Sequence, residues 1–354
     1  MAFTQIYTVA VDRTKCGSSN LTNFPVRIFA SNSSLKSTAH GGDVTSSSGF
    51  DIVILADDGT LSTLLPWEVD TWDPVNGVLN IWAQIPSVNG SGAGANSTFI
   101  VAWGDSSITT QQNVGSFAPS AVWDSNYKMV LHFGDGTTLN LNDSTANGNN
   151  AGNPFGDLAA LSGPIGGGVF VGPSGGVRVP ASGNLADGPT GAEVCTFSCW
   201  FYENLSGGLK YAMVVAADTP TNHGYILGAN NGGIVGGLAG NLINGPGFAT
   251  IFHYVVGSYD GTQQRLYVDG VEASGSPNTQ VANADVGFLW AGIGLNGGVD
   301  EARLFTGIAR SGDWAFTEFK NQSAPGNIGS PDFLIWNSGA TLSTGKQPRM
   351  FVMT

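Results

Sequence analysis

Short apolar runs punctuated by Gly, Asn, Asp and Pro recur along the whole chain, and no window sustains the 3.6-residue period of an amphipathic helix over more than a few turns. FPVRIFA, FDIVILA, LNIWAQIP and STFIVAWG read as strands in the first third. VRVP, TFSCWFY, YAMVVAA, GYILGA, FHYVVGSYD, QRLYVDG, DVGFLWAGIG and GVDEARLF do the same in the remainder. Many short strands without intervening helices restrict the chain to β-sandwiches. The 52 glycines in 354 residues supply tight turns rather than disorder, because 42% of the residues are hydrophobic and can build cores. A helix is predicted over residues 312–321 of SGDWAFTEFKNQ, with Ser311 as cap, Asp313 at the positive end and Trp314, Ala315 and Phe319 on the apolar face.

Thirteen Lys and Arg against 26 Asp and Glu give a net charge of −13, which repels phosphate backbones and anionic membranes, so neither nucleic acid nor membrane insertion is expected. No segment approaches 18 continuous apolar residues, and MAFTQIYTVAVDRTK lacks a basic start followed by a long apolar core. Assembly in the cytoplasm is therefore expected. Cys195 and Cys199 sit four apart in EVCTFSCWFY, which alternates like a strand. Four strand residues span about 13 Å, too far for a disulfide, and Cys16 stands alone in TKCGSSN. All three are expected to be free thiols.

The polar stretch GDSSITTQQNVGS precedes a new apolar run, VWDSNYKMVLHF, and marks a domain boundary. The reading is an all-β fold of two β-sandwich (jelly-roll) domains in tandem, with one short helix near the C-terminus: residues 1–120, then 121–325, then a tail, 326–354. That tail holds two apolar clusters, FLIW and MFVM, joined by a polar linker, and is read as an assembly element. Residues 129–325 resemble the laminin-G-like, concanavalin A-like jelly roll. The resemblance rests on MVLHFGDGTTLNLNDSTANGNN, GGVFVGPSGGVRVP, TFSCWFY, SYDGTQQRLYVDGVEASG and GGVDEARLFTGIARSGDWAFTEFKNQ, in that order. The first domain resembles a small β-sandwich of unassigned function that precedes such jelly rolls in bacterial, archaeal and bacteriophage surface proteins, through NFPVRIF, GFDIVILADDG, LPWEVDTWDP, NIWAQIP and TFIVAWGDSS.

EVDTWD is the sharpest catalytic pattern, since Glu68 and Asp70 fall two apart on one strand face, as paired carboxylates of a glycosidase can. Asp73, however, needs a bulge to rejoin that face and precedes Pro74, so no catalytic residue is assigned. His40, His132, His223 and His253 show no zinc spacing, and His132 and His253 fall inside apolar runs. In LNLNDSTANGNNAG, Asn and Gly favour tight turns. The jelly-roll resemblance implies a structural Ca²⁺ held by Asp143 and Asn147 of that loop with Asp300 of GGVDEARLF, although no cofactor is required. A glycan site would use Asn222, His223 and Tyr225 of TPTNHGYIL with Trp290. The expected protein is non-catalytic: a virion component, tail-associated or capsid-decorating, exposed on the virion surface and partnered by its own copies, other virion proteins or a cell-surface glycan. An extracellular bacterial adhesin or carbohydrate-binding module is the alternative, and a glycoside hydrolase a distant one.

Overall fold

A computed structural model describes residues 2–179, 194–204, 207–216, 223–238, 241–247, 250–276, 278–279 and 288–338. The chain forms two compact units, Met1–Val122 with Lys320–Thr354, and Trp123–Phe319.

In the first unit a four-stranded antiparallel sheet runs in the order Leu334–Ser338, Gln5–Val11, Ser97–Trp103, Val53–Ala56, and a three-stranded sheet in the order Leu21–Ser31, Val78–Val88, Trp67–Asp73. Alternation fixes which face is buried: Val9 and Val11, Phe99 and Val101, Phe24, Val26 and Ile28 are all shielded from solvent. Pro25, which has no N–H to give a ladder, is tolerated because Leu21–Ser31 is an edge strand. The first part of the expected tail is corrected. Leu334–Ser338 is the edge strand beside Gln5–Val11, with Trp336 opposite Val9. Its indole meets the Tyr7 ring edge-on at 5.7 Å between centroids, and Tyr7 in turn stacks on Trp103. An apolar FLIW that would aggregate in water instead finishes a sheet of the domain in which the chain began. MFVM, residues 350–353, lies outside the described residues.

The second unit is a sandwich of two antiparallel sheets. One runs Gly152–Phe155, Gly176–Val179, Phe288–Ile293, Leu209–Ala216, His223–Asn230, Gly233–Leu238, Ile243–Gly247. The path of the larger runs Leu158–Ser162, Gly167–Val171, Gly297–Thr306, Cys195–Glu203, His253–Tyr259, Gln263–Val268, Val271–Glu272, with Tyr127–Leu131 pairing Gly297–Thr306. Between them lies one core, to which Phe197, Cys199, Phe201, Val255, Leu266 and Val268 come from the larger sheet and Val177, Met213, Leu227, Ile234 and Ile243 from the other. Cys16, Cys195 and Cys199 are buried free thiols, and burial pushes the Cys16 thiol up to about 12. Asp269 and Gly270, at φ 50° and 77°, join Gln263–Val268 to Val271–Glu272 through two successive left-handed residues, the requirement of a type I′ hairpin.

The helix Gly312–Ser323 begins where the sequence predicts and runs two residues further. Ser311 Oγ accepts the N–H of Trp314 at 3.2 Å, and Asp313 lies in the first turn. Ala315 packs with Trp200, Tyr254, Val256 and Tyr267, with Phe319 against them. These sheet residues belong to the outward face of the larger sheet. The helix thus gives that sheet a second, smaller apolar layer.

Candidate functional site

The residues singled out from the sequence are not gathered in one place. Asn222 lies outside the described residues. His223 and Trp290 fall on strands His223–Asn230 and Phe288–Ile293, with Leu209–Ala216 between them. Tyr225 is corrected: it is a core residue, 5% exposed, with its ring stacked 5.2 Å from that of Phe197, and cannot meet a glycan.

The calcium implied by the resemblance does not fit the residues present. Asp143 Oδ1 accepts the N–H groups of Val130 (2.9 Å) and Thr145 (3.0 Å), while Oδ2 accepts the Thr145 hydroxyl (2.7 Å) and the Asn149 N–H (2.8 Å). Its carboxylate is the hub that closes its own loop. Asn147 Nδ2 donates to the Tyr127 carbonyl at 2.9 Å, tying the loop to the first strand of the unit. Asp300 is fully buried, its Oδ2 accepting the N–H of Ile165 at 3.0 Å. Among the described residues no three His, Cys, Asp or Glu are placed to hold a metal ion.

In the first unit, Val69 pairs with Ile81 and Thr71 with Asn80, so Asp70 is the extra residue of a β-bulge. The shared face of Glu68 and Asp70 rested on unbroken alternation, and the bulge interrupts it. Asp73 caps the following turn, accepting the N–H groups of Val75 (2.8 Å) and Asn76 (3.0 Å).

Two polar regions on the outward face of the larger sheet remain. The first is sealed. His132 Nδ1 lies 2.6 Å from Glu301 Oε1, and Arg303 donates to Glu301 Oε2 at 2.6 Å and to Glu318 Oε1 at 2.5 Å. Glu318 Oε2 further accepts from the Tyr254 hydroxyl (2.5 Å) and the Trp314 indole N–H (3.2 Å). The guanidinium lies 5.0 Å from the Trp123 ring centroid. Burial would push the Glu301 carboxyl up, but His132 and Arg303 together outweigh it and hold it below the ordinary carboxylate range. A bulge in Gly297–Thr306 makes this possible: Glu301, at φ 52°, is the extra residue opposite Cys199, and it shares the helix-covered side with Arg303. With Arg303 and Glu301 at 0% and Glu318 at 1% exposure, no ligand reaches them.

The second region is open. A cleft of ≈ 390 Å³ lies at the start of the helix, lined by Ser258, Gln263, Arg265, Tyr267 and Glu272 of three adjacent strands, by Asp260, and by Ala309–Gly312. Gln263, Arg265 and Tyr267 alternate outward while Leu266 and Val268 enter the core. That polar stripe in QQRLYVDG was the signal available in the sequence. Arg265 Nη1 holds Glu272 Oε1 at 2.8 Å. Asp260 is held below the ordinary carboxylate range chiefly by the Gln263 N–H, with that of Thr262. Tyr267 is 3% exposed, and burial, followed by the nearby Glu272 charge, pushes its phenol up to about 12. Arg310, also buried, lies 3.6 Å from the Trp314 ring centroid and 3.6 Å from Asp124 Oδ2.

No protein-family model and no curated protein matches the chain. Among solved structures, domain 4 of AbnA, an extracellular arabinanase from Geobacillus stearothermophilus in complex with arabinotriose, is 18% identical with a TM-score of 0.42, over 55% of this chain and 98% of that one. The binding domain of Paraclostridial Mosquitocidal Protein 1 is 11% identical with a TM-score of 0.44, over 55% and 52%. A Trypanosoma rangeli sialidase in complex with the inhibitor DANA is 18% identical with a TM-score of 0.36, over 48% and 28%. The chain thus spans about half or less of the latter two. Likenesses at this level bear on neither activity nor ligand.

Proposed function

We propose that the protein is a non-catalytic surface component, of a virion or a cell, whose second sandwich binds a saccharide in the cleft at the start of helix Gly312–Ser323. The observation that carries this reading is the lining: hydroxyl, amide, guanidinium and carboxylate groups of Ser258, Tyr267, Gln263, Arg265 and Glu272 converge on one concavity. Such a mixed set of donors and acceptors suits a ligand built of hydroxyls. Binding rather than hydrolysis is supported by the acids. Asp260 stays ionised well below neutral pH and has no proton to give a leaving group, while Glu272 is engaged by Arg265. Placement on a virion or cell surface is supported by an acidic, weakly charged exterior and by three buried thiols that need no oxidising compartment.

A printed glycan array probed with the full chain, followed by titration calorimetry of the hits, tests the binding. Ser258→Leu, which sets a bulky apolar group in the cleft lining, and Gln263→Ala, which removes one amide from it, are expected to abolish and to weaken binding respectively. An array without hits, or hits indifferent to both changes, removes the reading. Labelling of native particles in electron micrographs with an antibody to the chain tests the virion placement.

A further inference from the structure

The acids of the cleft are already answered, and several of its donors are not. Glu272 Oε1 accepts from Arg265 (2.8 Å) and from the Ser276 hydroxyl (3.0 Å), and Asp260 Oδ1 accepts from Thr262 (2.9 Å) and Gln263 (2.7 Å). By contrast, Ser258 and Tyr267 line the cleft with little of either residue exposed (6% and 3%), and their hydroxyl oxygens are not cut off from it and make no hydrogen bond to another described residue. Neither does the N–H of Gly312, since the first intrahelical bond is from Ala315 to the Ser311 carbonyl, and Trp314 takes the Ser311 hydroxyl. The phenol edge lies against this helix start, 3.2 Å from where a Cβ on Gly312 would be. A phenol that titrates near 12 keeps its proton at neutral pH and donates. The unanswered groups are therefore donors at the positive end of a 12-residue helix, with Arg265 and Arg310 beside them.

We infer that, given the saccharide reading above, the cleft selects acidic saccharides, taking the sugar carboxylate against the Tyr267 hydroxyl, the Gly312 N–H and Arg265. A carboxylate brings acceptors only, in the planar form an arginine matches. A neutral sugar hydroxyl there gains a weaker bond, because hydrogen bonds to an ionised acceptor are roughly twice as strong as neutral ones. The net charge of −13 does not forbid this. Exposed charges more than about 8 Å away are largely screened at physiological salt, so the groups in contact decide.

The test pairs acidic ligands with neutral parents: a galacturonate tetramer against a galactose tetramer, and sialyllactose against lactose. Each is titrated into the full chain and into Tyr267→Phe, which keeps the ring and removes only the hydroxyl. At least one acidic member is expected to bind about tenfold tighter than its parent, a gap of about 1.4 kcal/mol. In Tyr267→Phe that gap should close, by loss of acidic binding alone. Binding of the acidic member should also fall as salt is raised from 50 to 500 mM while that of the parent holds. Neutral members bound as well as acidic ones, or a gap that Tyr267→Phe leaves intact, overturn the inference while the saccharide reading stands. Binding of none of the four by wild type overturns the acidic selection, and an empty glycan array overturns the saccharide reading with it.

Discussion

Arg303 and the cleft beside Arg265 share the outward face of one sheet, with strands Cys195–Glu203 and His253–Tyr259 between them, and they differ in how far their polar groups are answered. Around Arg303 each carboxylate faces a cation or a donor: Glu301 has His132 and Arg303, and Glu318 has Arg303, Tyr254 and Trp314. Around Arg265 the acids are paired, while the hydroxyls of Ser258 and Tyr267 and a helix-end amide face the open cleft. An unanswered buried carboxylate would cost at least about 1–3 kcal/mol, so a sealed cluster whose acids are all answered belongs to the scaffold, whereas donors that face an open cleft are available to a ligand. The difference separates sites from supports where both are rich in charge.

The largest effect expected lies in the sealed region. Arg303→Ala strands two buried carboxylates, and breaking a buried ion pair by removing one partner costs about 3–5 kcal/mol. Urea unfolding followed by tryptophan fluorescence should show a lower midpoint of this size. A loss under 1 kcal/mol would mean that water enters the cluster, and the contrast with the cleft would collapse.

Next comes pH. The Glu301 carboxyl titrates lower in the folded chain than in the unfolded one, so its contribution is present above the ordinary glutamate range and is lost as pH falls through the depressed folded value. Stability should decline below about pH 4 more in the wild type than in Glu301→Gln, whose low starting stability should vary less with pH. Parallel curves for the two proteins would place the acid-labile group elsewhere.

Arg310→Ala should cost less than Arg303→Ala. It removes a cation stacked over Trp314 and leaves behind a partly exposed Asp124, not a sealed acid. Cation–π stacking is worth roughly 1–2 kcal/mol in a desolvated setting, and thermal unfolding should register that much. A loss as large as that of Arg303→Ala would put both arginines in the scaffold.

Much of this was legible before any coordinates. The alternation of HYVVGSYDGTQQRLYVDG puts Tyr254 and Val256 on one face and Leu266 and Val268 on one across the turn, and the structure keeps each pair together, the first under the helix and the second in the main core. Ser311, Asp313, Trp314 and Ala315 mark the helix by capping and apolar spacing, both local effects. Pairing across hundreds of residues was not legible: that LIW of the last strand sits beside Gln5–Val11 depends on an edge that exists only after folding. Nor were the bulges at Asp70 and Glu301, since no turn residue announces them. Tyr225 misled because an aromatic after Asn and His resembles a platform in a loop, whereas two-residue alternation from Leu227 carries it into the core.

The smallest effect expected is none, and it applies the same measure of saturation to Asp143. Four donors from Val130, Thr145 and Asn149 already occupy both oxygens of that carboxylate, so calcium would have to displace them to bind. A cation at about 100 times its dissociation constant would add roughly 2.7 kcal/mol to stability. In a chain of this size, that is several degrees of melting temperature. Melting curves in calcium and in chelator should instead coincide, and Asp300→Asn should not change their agreement. Asp143→Ala should still lower the melting temperature equally in both media, because it removes the acceptors that close the loop whether or not metal is present. A calcium-dependent rise that Asp300→Asn erases would restore the shared cation and show that the loop opens its hydrogen bonds to receive it.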